Sequence, residues 1–201
     1  FRERLKRREI WINGILDDSL IELLYVNFID LDLQPDGLPI TIVINSGGGL
    51  FYEALVATDI IGTSRCPVKT IALANASSGA FSLFMAGQDR ICHDYSCLMM
   101  HSASVGIADK IPHIEDRLKY VKYSQEKLSR LFSYQTGGKT SPAYWQAIFD
   151  SGKDKWFSIE EALKLGIVHK VVKRKEMIDP FFSIREPFTW DVVNFGLAQQ
   201  S

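Results

Sequence analysis

Residues 40–44 read ITIVI, an unbroken β-branched run. The chain then stops at Asn45-Ser46 and three consecutive glycines, Gly47, Gly48 and Gly49, before helical spacing resumes in LFYEALVATDIIGTS. A strand that is β-branched throughout and apolar at all but one position has both faces covered, and a short turn leading straight into a helix is how a parallel strand begins its crossover. The pattern recurs along the chain. VKTIALAN stops at Ala76-Ser77-Ser78-Gly79 and passes into the apolar stretch GAFSLFMAG, while EIWINGIL precedes Asp17, Asp18 and Ser19, which offer caps to the helical run LIELLYVNFIDL. Cys66-Pro67 breaks the helix that follows the glycines and frees VKTIALAN to be a strand. Strands alternating with helices predict an α/β fold with a largely parallel sheet and crossovers.

The second half continues the theme, with RICHDY and CLMMH as short strands and IPHIEDRLKYVKYSQEKLSRLFSYQTGG as one long helix ended by Gly137 and Gly138. Along that helix Ile114, Leu118, Val121, Leu128, Leu131 and Phe132 recur at three- and four-residue intervals, which predicts a single apolar stripe. SIEEALKLG is a further helix, capped by Ser158 with Glu161 in the capping-box position, and IVHKVV is a strand after it. The 201 residues predict one domain. The tail from Lys173 is too aromatic for a linker and is expected to pack on that domain's surface.

A net charge of -1 gives no reason to expect a nucleic-acid partner, and the basic opening FRERLKRREI reads as a solvated helix end or arm. Three cysteines without a C-x-x-C pair fit a reducing compartment, hence the cytoplasm. No apolar run approaches the roughly 18 residues of a spanning helix, so no membrane partner is expected, and no signal-peptide pattern opens the chain.

Three stretches end a strand at small residues: INSGGG, ANASSGAF and MMHSAS. In a parallel sheet the strand C-termini converge on one edge, where sites gather. A serine before a helix and followed by glycine exposes its hydroxyl and leaves the next backbone N–H free to stabilise negative charge; a triple-glycine turn supplies a second such donor. The adjacent pair Ser77 and Ser78 at this junction holds the candidate nucleophile. A serine needs a general base, and His101 is the candidate, with His93, His113 and His169 placed in polar surroundings that suit surface residues. Asp154, in a loop before Trp156 and Phe157, is the candidate to orient the imidazole. Singly, each has a plain alternative: a structural histidine, a solvated turn carboxylate. A phosphate loop is a poor fit for SGGG, because Leu50 and Phe51 stand where Lys and Ser or Thr belong.

The ordered set INSGGG, ANASSGAFSLFMAG, LMMHSAS and KDKWFSIEEALKLGIV resembles the proteolytic subunit of the Clp protease, ClpP, including its divergent and phage-encoded members. That family runs I-N-S-P-G-G, A-A-S-M-G/A, M-I-H-Q-P and then R-D-x-F followed by a short helix, and the likeness covers roughly Ile10 to Val172. It implies a ClpP/crotonase-like fold of repeated β-β-α units with a protruding long helix, the handle, in a domain of residues 1–172 with 173–201 as an extension. Aligning VKTIA and MAG without a gap puts the nucleophile at Ser78. His101 is then the base, Asp154 its orienting carboxylate, and Gly49 and Gly79 the oxyanion donors. The resemblance further implies stacked heptameric rings, unfolded polypeptide as substrate, and a separate AAA+ unfoldase that uses the ATP; this chain needs no cofactor or metal. Val43, Ile71 and Leu73 match the apolar unfoldase-docking pocket, though ordinary sheet core describes them equally well. Gly47 replaces the family's proline, and Ser102 and Ala103 replace its Gln-Pro. The other readings are an inactive ring subunit and, more distantly, a crotonase-like acyl-CoA enzyme.

Overall fold

The computed structural model describes residues 2–104, 106, 108–174 and 190–193. After a short helix α1 (Arg2–Lys6), strands and helices alternate: β1 (Glu9–Asn13), α2 (Asp18–Asp32), β2 (Ile40–Ser46), α3 (Phe51–Gly62), β3 (Val68–Ser77), α4 (Gly79–Ala86) and β4 (Asp89–His93). Then come β5 (Cys97–Met100), the long helix α5 (Ile111–Gln135), α6 (Pro142–Ser151), β6 (Lys155–Phe157), α7 (Ile159–Lys164), β7 (Lys170–Arg174) and β8 (Trp190–Val193). The sheet has the order β1-β2-β3-β4-β7-β8, parallel through β7 and closed by antiparallel β8. The expected α/β fold with its projecting helix is the observed one. The extension expected from residue 173 lies mostly outside the described residues; its described parts are the last two residues of β7 and the edge strand β8 that pairs with them.

Strand β3 decides the architecture. Its first half pairs with β4 and its last three residues with β5, so the sheet forks at the end where the crossovers leave. β5 in turn takes β6 as an antiparallel neighbour. Beneath the fork runs α4, in which every residue from Ala80 to Ala86 is buried, as a sequence apolar at every one of these positions but Ser82 favours. Phe81 of α4 meets Phe132 of α5, Trp145 of α6 and Phe157 of β6 at ring-centroid separations of 5.7, 5.9 and 5.5 Å. Each such ring contributes about 1.5–3 kcal/mol by burial. Together they fix the base of the long helix against the sheet.

The predicted stripe on α5 splits in two. Val121, Leu128 and Phe132 are buried and Leu131 is half-buried, whereas Ile114 is only half-buried and Leu118 is 42% exposed. The first two turns extend beyond the domain's own core. Three further expectations are corrected. The basic opening is a helix, but Arg8 just after it is buried, donating to Pro39 O and Leu31 O and pairing with Asp36 at 3.3 Å. His93 is half-buried rather than a surface residue. The stretch IVHKVV becomes strand only from Lys170, because the amide of Ile167 still closes helix α7 onto Ala162 O.

Arg90 on β4 is fully buried, and its guanidinium donates to the carbonyls of Gly87, Gln135, Gly166 and Ile167 at 2.7, 2.6, 2.9 and 2.8 Å. Burial pulls its pKa down to about 10. Its Nη2 also lies 2.9 Å from His169 Nε2, a contact that needs an unprotonated ring nitrogen. Burial and the neighbouring guanidinium both hold His169 below the ordinary 6.5, Asp89 opposing in part, and burial lowers His93 likewise. In the unfolded chain both rings protonate near pH 6.5; in the folded chain they resist until lower pH. Their contribution to stability is therefore complete above pH 6.5 and lost as pH falls through the folded-state values. The urea midpoint is expected to be lower at pH 5.5 than at 7.5, with a shallower pH dependence in His169→Gln. An unchanged slope in that variant removes His169 from the account.

Candidate active site

The register of two strand pairs builds the site. Ser77 on β3 lies beside Met99 on β5, and the amide of Ser78 donates to Met99 O at 2.8 Å, so His101, the first residue past the end of β5, comes alongside Ser78. Across the antiparallel pair Met100 faces Lys155, which sets the preceding residue, Asp154, opposite the following one, His101. The loop carrying Asp154 is in turn fixed by α6, which ends at Gly152 in the left-handed conformation.

Ser78 Oγ lies 2.7 Å from His101 Nε2. His101 Nδ1 lies 3.6 Å from Asp154 Oδ1, an ion-pair separation longer than a hydrogen bond. The Asp154 side chain is 54% exposed against 27% for His101. The adjacent serine is differently employed: Ser77 is buried and its hydroxyl donates to Asn75 Oδ1. Ser78 has φ 56 and ψ -125, a conformation that glycine tolerates and serine adopts only under constraint. That backbone turns the hydroxyl out of the sheet at the mouth of α4 while the residues on either side stay packed.

The two expected oxyanion donors converge there. Leu16 N–H donates to Gly48 O and Leu50 N–H to Leu16 O, leaving the Gly49 N–H outside this bridge. Gly79 opens α4, so its N–H is among the helix's unpaired first donors. Both positions demand glycine: a Cβ on Gly49 would sit 2.1 Å from Leu16 O, and one on Gly79 would sit 2.7 Å from Ala54 Cβ. These crossings bring the Gly49 amide to 3.9 Å from where a Gly79 Cβ would stand. Gly49, Ser78, Gly79 and His101 together edge a cavity of about 150 Å³.

Val43, Ile71 and Leu73 lie apart from this site, on β2 and β3, where Val43 pairs with Ile71. The helix-facing core is formed by their neighbours Ile42, Ile44 and Ala72. Ile71 and Leu73 are half-buried, and the row Trp11, Val43, Ile71, Ile91 crosses four adjacent strands. Sequence reasoning missed Gln125 of α5, whose Nε2 donates to Ser102 Oγ at 3.0 Å and which lines the cavity. A glutamine among the spaced apolar residues of one helix face was the available signal.

A serine at a strained strand-to-helix turn, within hydrogen-bond distance of a histidine just past the neighbouring strand β5 and near two glycine amides, is an arrangement that serine hydrolases use. The family model for Clp protease matches residues 1–175, and the chain belongs to that family. It is 29% identical over 174 residues to the ATP-dependent Clp protease proteolytic subunit 1 of Salinibacter ruber, spanning 86% of this chain and 73% of that one. Proteolytic subunit 2 of Rhodococcus jostii is 26% identical over 176 residues, 87% and 88% of the two chains. Among solved structures, a ClpP1 mutant from Listeria monocytogenes superposes with a TM-score of 0.73 at 24% identity, covering 87% of this chain and 96% of that one. This likeness shows the fold. No helix among the described residues is long and apolar enough to cross a membrane.

Proposed function

We propose that this chain is a serine endopeptidase subunit of a Clp-type protease. The observation that carries the reading is the 2.7 Å contact between Ser78 Oγ and His101 Nε2. Ser78 Oγ attacks a peptide carbonyl carbon as its proton passes to His101 Nε2, while Asp154 favours the tautomer with Nδ1 protonated. The carbonyl oxygen becomes an oxyanion between the Gly49 and Gly79 amides, each such donor worth about 3 kcal/mol in the barrier. Collapse expels the amine, which takes the proton from His101, and leaves an acyl-serine. Water, deprotonated by the same ring, then releases the acid and restores Ser78.

The exposed Ile111, Leu118, Tyr120 and Tyr123 on the outer turns of α5 support assembly with further copies, as the stacked heptameric rings of the family would provide. Val43, which is buried, and the half-buried Ile71 and Leu73 would form the apolar pocket offered to an AAA+ unfoldase, which would consume the ATP and deliver unfolded polypeptide. An inactive ring subunit would have no use for the strained Ser78.

One preparation tests the reading. A fluorophosphonate is expected to label Ser78 in wild type and to leave Ser78→Ala unlabelled, in particles far above the monomer mass by light scattering. These should cleave short peptides without ATP and leave a folded protein intact. Label on Ser77, or no label, overturns the catalytic assignment. A monomer mass overturns the ring.

A further inference from the structure

The cavity beside Ser78 says what kind of side chain it receives. Resting on the serine endopeptidase reading, the cavity is where the side chain of P1, the residue whose carbonyl Ser78 attacks, would lie, because Gly49, Ser78 and Gly79 stand at its edge. Its walls include Leu55, Met100, Leu128 and Phe149, which suit methylene groups. Besides Ser78 and His101 at the edge and the exposed Ser104, two polar side chains are set into these walls, Ser82 and Gln125, each almost wholly buried. Among the described residues every fully buried side-chain nitrogen and oxygen has a hydrogen-bond partner. The amide of Gln125 has one of its two polar atoms engaged by Ser102. The other, and the hydroxyl of Ser82 one helical turn beyond Ser78, therefore reach open space, and the space both residues line is this cavity.

We propose that Ser82 and Gln125 make this a specificity pocket for a long uncharged polar P1 side chain, with glutamine preferred over leucine. An apolar P1 residue would bury the free half of the Gln125 amide and the Ser82 hydroxyl without partners, which is the unfavourable case for buried polar groups. The nitrogen and oxygen of the Gln125 amide exchange places on a half-turn, with the Ser102 hydroxyl donating or accepting to suit. A substrate carboxamide carries both a donor and an acceptor, so it pairs with either orientation; a leucine pairs with neither. Charged P1 residues are excluded on separate grounds. None of the described residues lining the cavity is Lys, Arg, Asp or Glu, so a buried ammonium or carboxylate would lack a counter-charge.

The test is a set of quenched fluorescent decapeptides differing only at P1, with cleavage positions read by mass spectrometry. Wild type is expected to show higher kcat/KM for Gln than for Leu at P1, with Lys and Glu at least about 100-fold below Gln. In Gln125→Leu the Gln-to-Leu ratio should fall about tenfold, and in Ser82→Ala about threefold or more, the loss of one hydrogen bond in each case. The ratio is the readout because Gln125→Leu also releases Ser102, next to His101, and slows every peptide alike. If Gln125→Leu does not fold, Gln125→Met and Ser82→Ala carry the comparison. A wild type that prefers Leu, or a ratio unchanged in the variants while Ser78 still takes fluorophosphonate, overturns the pocket and leaves the protease standing. Absence of the label in wild type removes both.

Discussion

Ser78→Gly is expected to abolish peptide hydrolysis, lowering kcat by about 10⁴-fold or more, and at the same time to make the protein more stable. The loss follows from chemistry, since without the hydroxyl only the oxyanion donors and substrate binding remain. The gain follows from the backbone. At φ 56 and ψ -125 a side chain is strained by of order 1 kcal/mol or more, and glycine is not. In a chain this long that is a rise in Tm of about 2–4 °C. Ser78→Ala separates the two effects: it should lose the same activity but keep the strain, so its Tm stays near that of wild type. Calorimetry beside peptidase assays on the three proteins decides the matter. Turnover surviving in Ser78→Gly would remove the serine from the reaction, and equal melting temperatures for the glycine and alanine variants would mean that the turn stores no strain.

That opposition explains why the nucleophile was legible only in part. The strand ahead of it announces itself through VKTIALAN, freed by Cys66-Pro67, and the helix after it through GAFSLFMAG, so the junction was readable as a site. Local composition left Ser77 and Ser78 equivalent. They differ through tertiary register: β5 offers Met99 O to the Ser78 amide, and Asn75 takes the Ser77 hydroxyl. The neighbourhood of Asp154 was less legible still. Strand β6 has three residues, too few for a periodic signal, and it exists because β5 presents a free edge after β3 forks. Helix α6 went unread although Ser141 and Pro142 are sound start signals, since its own apolar spacing is short and Trp145 finds its place only among Phe81, Phe132 and Phe157. The stripe on α5 could be read from spacing, but not the point at which its partner changes from the domain's own core to something outside it.

Arg90 belongs to the same class of hidden residue, and its replacement carries the largest expected effect on stability. In sequence it is one charge at the start of the short strand RICHDY, where a solvated arginine is the ordinary reading. In the fold it is fully buried and binds four backbone carbonyls from three places: the α4–β4 turn at Gly87, the last residue of α5 at Gln135, and the turn after α7 at Gly166 and Ile167. Gln135 adds its side-chain oxygen at 3.2 Å. Those carbonyls are mostly the open ends of helices, which lack partners within their own elements, and the guanidinium fork meets them with a geometry no other side chain has. Arg90→Met removes every donor at once. Leaving even two or three buried carbonyls unpaired is expected to cost about 3–5 kcal/mol, a fall in Tm on the order of 10 °C. Arg90→Lys should recover little of it, because one ammonium cannot span acceptors arranged around a planar fork. Since Gln135 closes α5, the amides of that helix's last two turns should exchange with solvent much faster in the variant. The N-terminal turns, which Arg90 does not touch, should change little. Urea denaturation and hydrogen exchange measure both; a variant within about 1 kcal/mol of wild type would mean that water replaces the guanidinium and that the end of α5 is held by the aromatic cluster alone.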